Sequence, residues 1–228
     1  MSDAKFKPDA AERRRIRRIL DKLGEELKPR APSGGDPFAV LVATVLSQNT
    51  NWRNTEVAFK RLISKFRTPA QLADAELEEV QRLIRPAGLH RIKAKNLKKA
   101  ASAIVHKYGG DLRVVLRKSV GEARRELLEL PGIGHKTADC VLLFAGGRDV
   151  LPVDVHVARV AKRLGFASTE DGPEEIKNKL EPLVPAGRRG EAHLLLIELG
   201  RKYCSARGPI CDECPIANLC PRAEKSQR

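Results

Sequence analysis

The sequence predicts an all-α fold. Apolar residues recur at helical spacing along nearly the whole chain, and no segment alternates over a strand's length. The breaks between these runs are short and hold Gly, Pro, Ser and Thr. The first run, AAERRRIRRILDKLGEEL, puts Ile16, Ile19, Leu20, Leu23 and Leu27 on one face and stops at Pro29. Its arginine-rich face is expected to be a solvated one. PRAPSGGDP (29–37) reads as a connecting loop, and Asp36-Pro37 then starts the helix FAVLVATVLS. Further helices fit TEVAFKRLISKF, TPAQLADA, LEEVQRLIRPA, KAKNLKKAASAIVHKYG and GEARRELLEL. VVL (114–116) is too short to assign. Beyond it come VHVARVAKRLG, GPEEIKNKLEPLV and GEAHLLLIELGRKYC, and the last eight residues, PRAEKSQR, are expected to fray.

Composition narrows the function. With 228 residues the chain could form one large domain or two small ones. Forty-three basic against 29 acidic residues give a net charge of +14, which points to a polyanionic partner, most commonly nucleic acid. The apolar run Phe38–Leu46 is too short to cross a bilayer, and the first ten residues lack a secretory apolar stretch. The expectation is a soluble cytoplasmic protein, nucleoid-associated in a prokaryote, with no membrane partner and monomeric. Aromatics make up only 4%, so the core is aliphatic, and the single tryptophan, Trp52, is expected to pack in it.

Three local patterns carry chemistry. In LPGIGHKTA, Pro131-Gly132 turns the chain between two helices, and Gly132 and Gly134 permit positive φ and close backbone approach. The first turn of the second helix then presents unsatisfied amides, a site suited to a phosphate. Lys136 lies in that turn. Asp154, after Pro152-Val153 and before VHVARVAKRL, reads as a helix N-cap. Cys204, Cys211, Cys214 and Cys220 are spaced C-x6-C-x2-C-x5-C, a set able to hold zinc or an iron–sulfur cluster. Cys140 sits alone in an apolar run and is expected to pack as a small hydrophobe.

LPGIG-x-KTA followed by PVDVHVARV resembles the helix-hairpin-helix DNA glycosylase superfamily, and most closely its endonuclease III branch. The resemblance runs from LVATVLSQNT to the terminal cysteines. It implies two helical domains flanking a DNA cleft: a six-helix domain with the hairpin at 29–148, and a second from 1–28 together with 149–228 carrying the cluster loop. The hairpin amides of Gly132, Ile133 and Gly134 would grip a DNA backbone phosphate, which positions the protein without reading sequence. Lys136 and Asp154 fall on the family's catalytic lysine and aspartate and would face each other across the cleft. Cutting an N-glycosidic bond builds positive charge at C1′, which a carboxylate stabilises. An amine can attack C1′, form a Schiff base and permit β-elimination of the 3′ phosphate. It must be neutral to do so, which burial and the positive end of a helix favour.

The four cysteines match the family's [4Fe–4S] loop, in a structural role. Gln48 falls on a glutamine that enters the duplex beside the extruded nucleotide. GLHRIKAKNLKKA is a second turn-then-helix bearing Arg91, Lys93, Lys95, Lys98 and Lys99. Its Leu89 is either an apolar wedge between bases or a buried turn residue. The implied activity is bifunctional: removal of a damaged base, an oxidised pyrimidine first, from double-stranded DNA, with cleavage at the resulting abasic site. Two alternatives stand beside it. One is a monofunctional glycosylase of the same fold acting on mismatched or alkylated bases; the other is a non-catalytic DNA-binding iron–sulfur protein.

Overall fold

The computed structural model describes residues 9–29 and 35–226, with side chains to residue 223. No strand occurs among them. Thus most of the 29–37 loop and the first eight residues lie outside the described residues.

The helices are α1 (Ala10–Glu26), α2 (Pro37–Leu46), α3 (Trp52–Lys65), α4 (Pro69–Asp74), α5 (Leu77–Ile84), α6 (His90–Tyr108) and α7 (Arg113–Leu116). After these come α8 (Val120–Leu128), α9 (His135–Phe144), α10 (Val155–Arg163), α11 (Pro173–Leu180), α12 (Arg189–Lys202) and α13 (Pro221–Ser226). A 3-10 turn, Arg85–Ala87, extends α5. Local side chains start most of them. Asp36 caps α2 from its carboxylate, and Thr68 with Gln71 and Ser119 with Glu122 form reciprocal capping boxes on α4 and α8.

By its internal contacts the chain forms two compact units. One is Ser33–Arg148; the other joins Met1–Pro32 to Asp149–Arg228. In the second, Ile16, Ile19, Leu20 and Leu23 of α1 share one apolar core with Val157 and Val160 of α10, Ile176 of α11 and Leu195 of α12. That core explains why a chain-terminal helix belongs with the C-terminal half. In the first unit, Leu41, Leu62, Ile84, Leu97, Ile104 and Leu127 are fully buried. Each such side chain contributes about 1.5–3 kcal/mol by burial.

The structure departs from the sequence reading at several places. VVL is helical, as the single turn α7. The terminal PRAEKSQR is helical through Ser226, and its last two residues lie outside the described ones. The arginine face of α1 is not wholly solvated. Arg15 donates to the Leu164 carbonyl at 2.8 Å and stacks over the Phe166 ring at 4.2 Å. Trp52 is 53% exposed rather than in the core, because α3 starts three residues before the apolar pattern does and its first position faces water.

Candidate functional site

The hairpin joins α8 to α9. Gly132 has φ +76°, and a Cβ there would lie 2.7 Å from the Asn96 side chain on α6. Glycine is required twice over, by handedness and by close approach. Gly134 differs from expectation: its φ of −95° suits any residue, and a Cβ on it would meet nothing within 4 Å. Ile133 also departs from its expected role. Its side chain is buried and its amide donates to the Leu130 carbonyl at 3.1 Å, inside the turn. The amides of Gly132, Gly134 and Lys136, by contrast, donate to no backbone carbonyl among the described residues.

Lys136 is half-buried in the first turn of α9, and its side chain makes no hydrogen bond or ion pair with a described residue. Around it the scaffold is firmly fixed. Arg124 of α8 donates from Nε to Oδ1 of Asp139 at 2.8 Å and from Nη2 to Oδ2 at 3.3 Å. The same Nη2 reaches His135 Nδ1 at 3.2 Å, which must accept, since a guanidinium only donates. Asp139 is 1% exposed, so this pair clamps the two hairpin helices together. Its signal in the sequence is a charged residue inside an apolar helical run.

The C-terminal end of α2 meets the N-terminal end of α9 within the same unit. Gln48 donates from Nε2 to Thr137 Oγ1, one residue beyond Lys136, at 3.4 Å. Leu89 is 52% exposed in the left-handed region, which removes the buried-turn reading. Of the five basic residues at 91–99 on α6, two turn inward. Lys98 donates to the carbonyls of Ala73 and Ala75, and Lys93 is buried against backbone carbonyls. Arg91, Lys95 and Lys99 remain exposed. Burial pushes the Lys93 ammonium pKa down.

In the other unit Asp154 caps α10. Its Oδ1 accepts from the amides of His156 and Val157, both at 2.9 Å, while Oδ2 accepts nothing from a described residue. The strand of chain before it is pinned: Leu151 and Val153 are buried, the Leu151 amide donates to Glu181 at 2.8 Å, and His193 Nδ1 lies 2.8 Å from the Pro152 carbonyl. His156 is pushed towards its neutral form, mainly by burial, and its Nδ1 accepts from Arg159 at 2.9 Å. Gly200 lets α12 pass this point, since a Cβ there would sit 3.0 Å from that of His156.

α10 also holds the cysteine loop. Arg159 donates to the Cys204 carbonyl at 2.9 Å, and Arg163 to the Ser205 carbonyl at 2.6 Å and Cys204 Sγ at 3.3 Å. Cys204, Cys211, Cys214 and Cys220 line one apolar cavity, with Leu164, Leu199 and Ile216 among its walls. Burial raises the Cys214 thiol pKa, and the other three cysteines push it the same way. Among the described residues no three His, Cys, Asp or Glu side chains are arranged to hold a single metal ion. The lone Cys140 is buried in α9. No helix among the described residues is long and apolar enough to cross a membrane.

Two helices clamped about a glycine turn, with a half-buried lysine at the start of the second, form a helix–hairpin–helix arrangement whose family comparison supplies. Residues 42–186 match the HhH-GPD superfamily base excision DNA repair protein family. Endonuclease III of Thermotoga maritima is 38% identical over 205 residues, covering 89% of this chain and 92% of the relative. Endonuclease III of Bacillus subtilis is 36% identical, covering 94% and 95%. A solved structure of a trapped endonuclease III–DNA covalent intermediate, an estranged-adenine complex, superposes with a TM-score of 0.84 at 35% identity, covering 95% of this chain and 99% of the other. The chain belongs to the endonuclease III branch of this superfamily, the base-excision-repair DNA glycosylases and lyases.

Proposed function

We propose that the protein removes an oxidised pyrimidine from double-stranded DNA and then cuts the strand at the abasic site through Lys136. The observation that carries this reading is the Lys136 side chain, half-buried at a helix start and engaged by no described residue. Its amine attacks C1′ as the bond to the base breaks. The C1′–O4′ bond then opens, O4′ takes up a proton and the nitrogen sheds its extra proton to solvent, giving a Schiff base at C1′; loss of a proton from C2′ follows, the C3′–O bond breaks and the 3′ phosphate leaves. Asp154 supplies the carboxylate that stabilises positive charge at C1′. Its cap holds the group in place through Oδ1 and leaves Oδ2 for that task. The amides of Gly132 and Gly134 hold a backbone phosphate, whereas Ile133 acts by packing the turn. Gln48 and Leu89 enter the duplex where the nucleotide leaves it.

Cys204, Cys211, Cys214 and Cys220 would hold a [4Fe–4S] cluster, supported by four thiols that line one apolar cavity. The cluster would tie the loop together, and no catalytic step requires it. The test is a set of duplexes bearing thymine glycol, uracil opposite guanine, 8-oxoguanine or an abasic site. Base release and nicking fastest with thymine glycol, and nicking at the abasic site, are expected. Base release from a lesion duplex with no nicking of any duplex, the abasic one included, would replace the bifunctional reading with a monofunctional one.

A further inference from the structure

Lys93 is 3% exposed and has no carboxylate partner among the described residues. Its Nζ places three donors on three carbonyls: Leu46 at 2.8 Å, Gln48 at 2.6 Å and Ala87 at 2.8 Å. Two of these belong to the turn leaving α2, and the third to the turn entering α6. Burying an ammonium costs free energy that a methionine of similar length would not, so the three carbonyls it satisfies must need a donor held in place. Backbone geometry supplies the reason. Among the described residues the only non-glycine residues with positive φ are Asn49, at 52°, and Leu89, at 47°. Asn49 follows the Gln48 tie by one residue, and Leu89 follows the Ala87 tie by two. Both side chains are exposed. Asparagine adopts left-handed backbone readily, but at leucine it persists only where the surroundings over-determine it.

We infer that Lys93 is a positioning residue that locks the 46–49 turn and the 87–89 turn into one rigid tip. The inference rests on the reading that Gln48 and Leu89 enter the duplex. Side chains that part stacked bases meet resistance, and a support that yields lets them slip back. One ammonium bonded to both turns makes them enter together and in fixed register. Asn49, at the exposed corner of the first turn, enters with Gln48, whose side chain also bonds Thr137 of α9 at 3.4 Å.

The test compares single-turnover cleavage of one lesion strand in two partners. One complement pairs throughout, and the other leaves the lesion and its neighbours unpaired, so that nothing need be parted. Lys93→Met should lose roughly tenfold to a hundredfold on the paired substrate, the scale of a small misplacement, and little on the unpaired one. Lys93→Gln keeps part of the donor set and should fall between, and it decides the question if Lys93→Met does not fold. Leu89→Ala is the control for the underlying reading and should show the same split. A split with Leu89→Ala but equal losses, or none, with both Lys93 variants overturns the positioning role and leaves duplex entry standing. No split with Leu89→Ala removes duplex entry by this turn, and the inference with it.

Discussion

Asp154 divides its work between two oxygens. Oδ1 satisfies two orphan amides of α10, and Oδ2 is bonded to no described residue. Asparagine preserves the accepting oxygen and removes only the charge. Asp154→Asn should therefore slow base release by roughly a hundredfold, about 2.7 kcal/mol of transition-state stabilisation. Thermal unfolding should barely change. A large drop in melting temperature with intact base release would make Asp154 a cap and nothing more. At this scale the sequence was legible where the signal was local. An aspartate before an apolar helical run is a cap, and its role follows from the family resemblance. Lys93 was illegible because its burial depends on carbonyls as far as 47 residues away in the chain. Trp52 misled for the opposite reason: hydrophobicity suggests the core, and its place at the first turn of α3 puts it in water.

Among elements, the hairpin and the cysteine loop are the most constrained. Gly132→Ala would force a left-handed backbone and a collision with Asn96, so it tests stability, at about 1–2 kcal/mol for handedness alone. Gly134→Asp is the cleaner probe of function, because its backbone angle is ordinary and its Cβ direction is open. It puts a carboxylate where a phosphate is proposed to bind. Affinity for damaged and undamaged duplex should fall together, measured at one fixed salt concentration. A variant that changed base preference alone would contradict the phosphate grip. The glycine pair was legible as a turn, but two identical residues two positions apart did not reveal that only one has positive φ. Cys211→Ser should lower iron content and folded yield, with absorbance near ~400 nm falling in step. Stoichiometric zinc without iron in protein purified free of oxygen would reverse the assignment. Spacing made these cysteines readable; Arg159 and Arg163, which fasten their loop to α10, were not, since arginines on a helix usually face solvent.

Over the whole molecule, a net charge of +14 brings the protein to DNA, while selectivity for damage rests on a few groups. The all-α class was readable from periodicity and caps, because both are properties of neighbouring residues. That α1 shares its core with the C-terminal helices was not readable from its own pattern, which shows that it has a buried face and not what covers it. Strand cleavage is proposed to run through a covalent bond from Lys136 to the DNA. Borohydride added to the protein and an abasic-site duplex should trap a covalent adduct. Lys136→Gln should lose that adduct and all strand cleavage while still binding the duplex, since the hairpin amides are unchanged. Trapping and nicking by Lys136→Gln at the unaltered rate would contradict the claim and assign the chemistry to another amine.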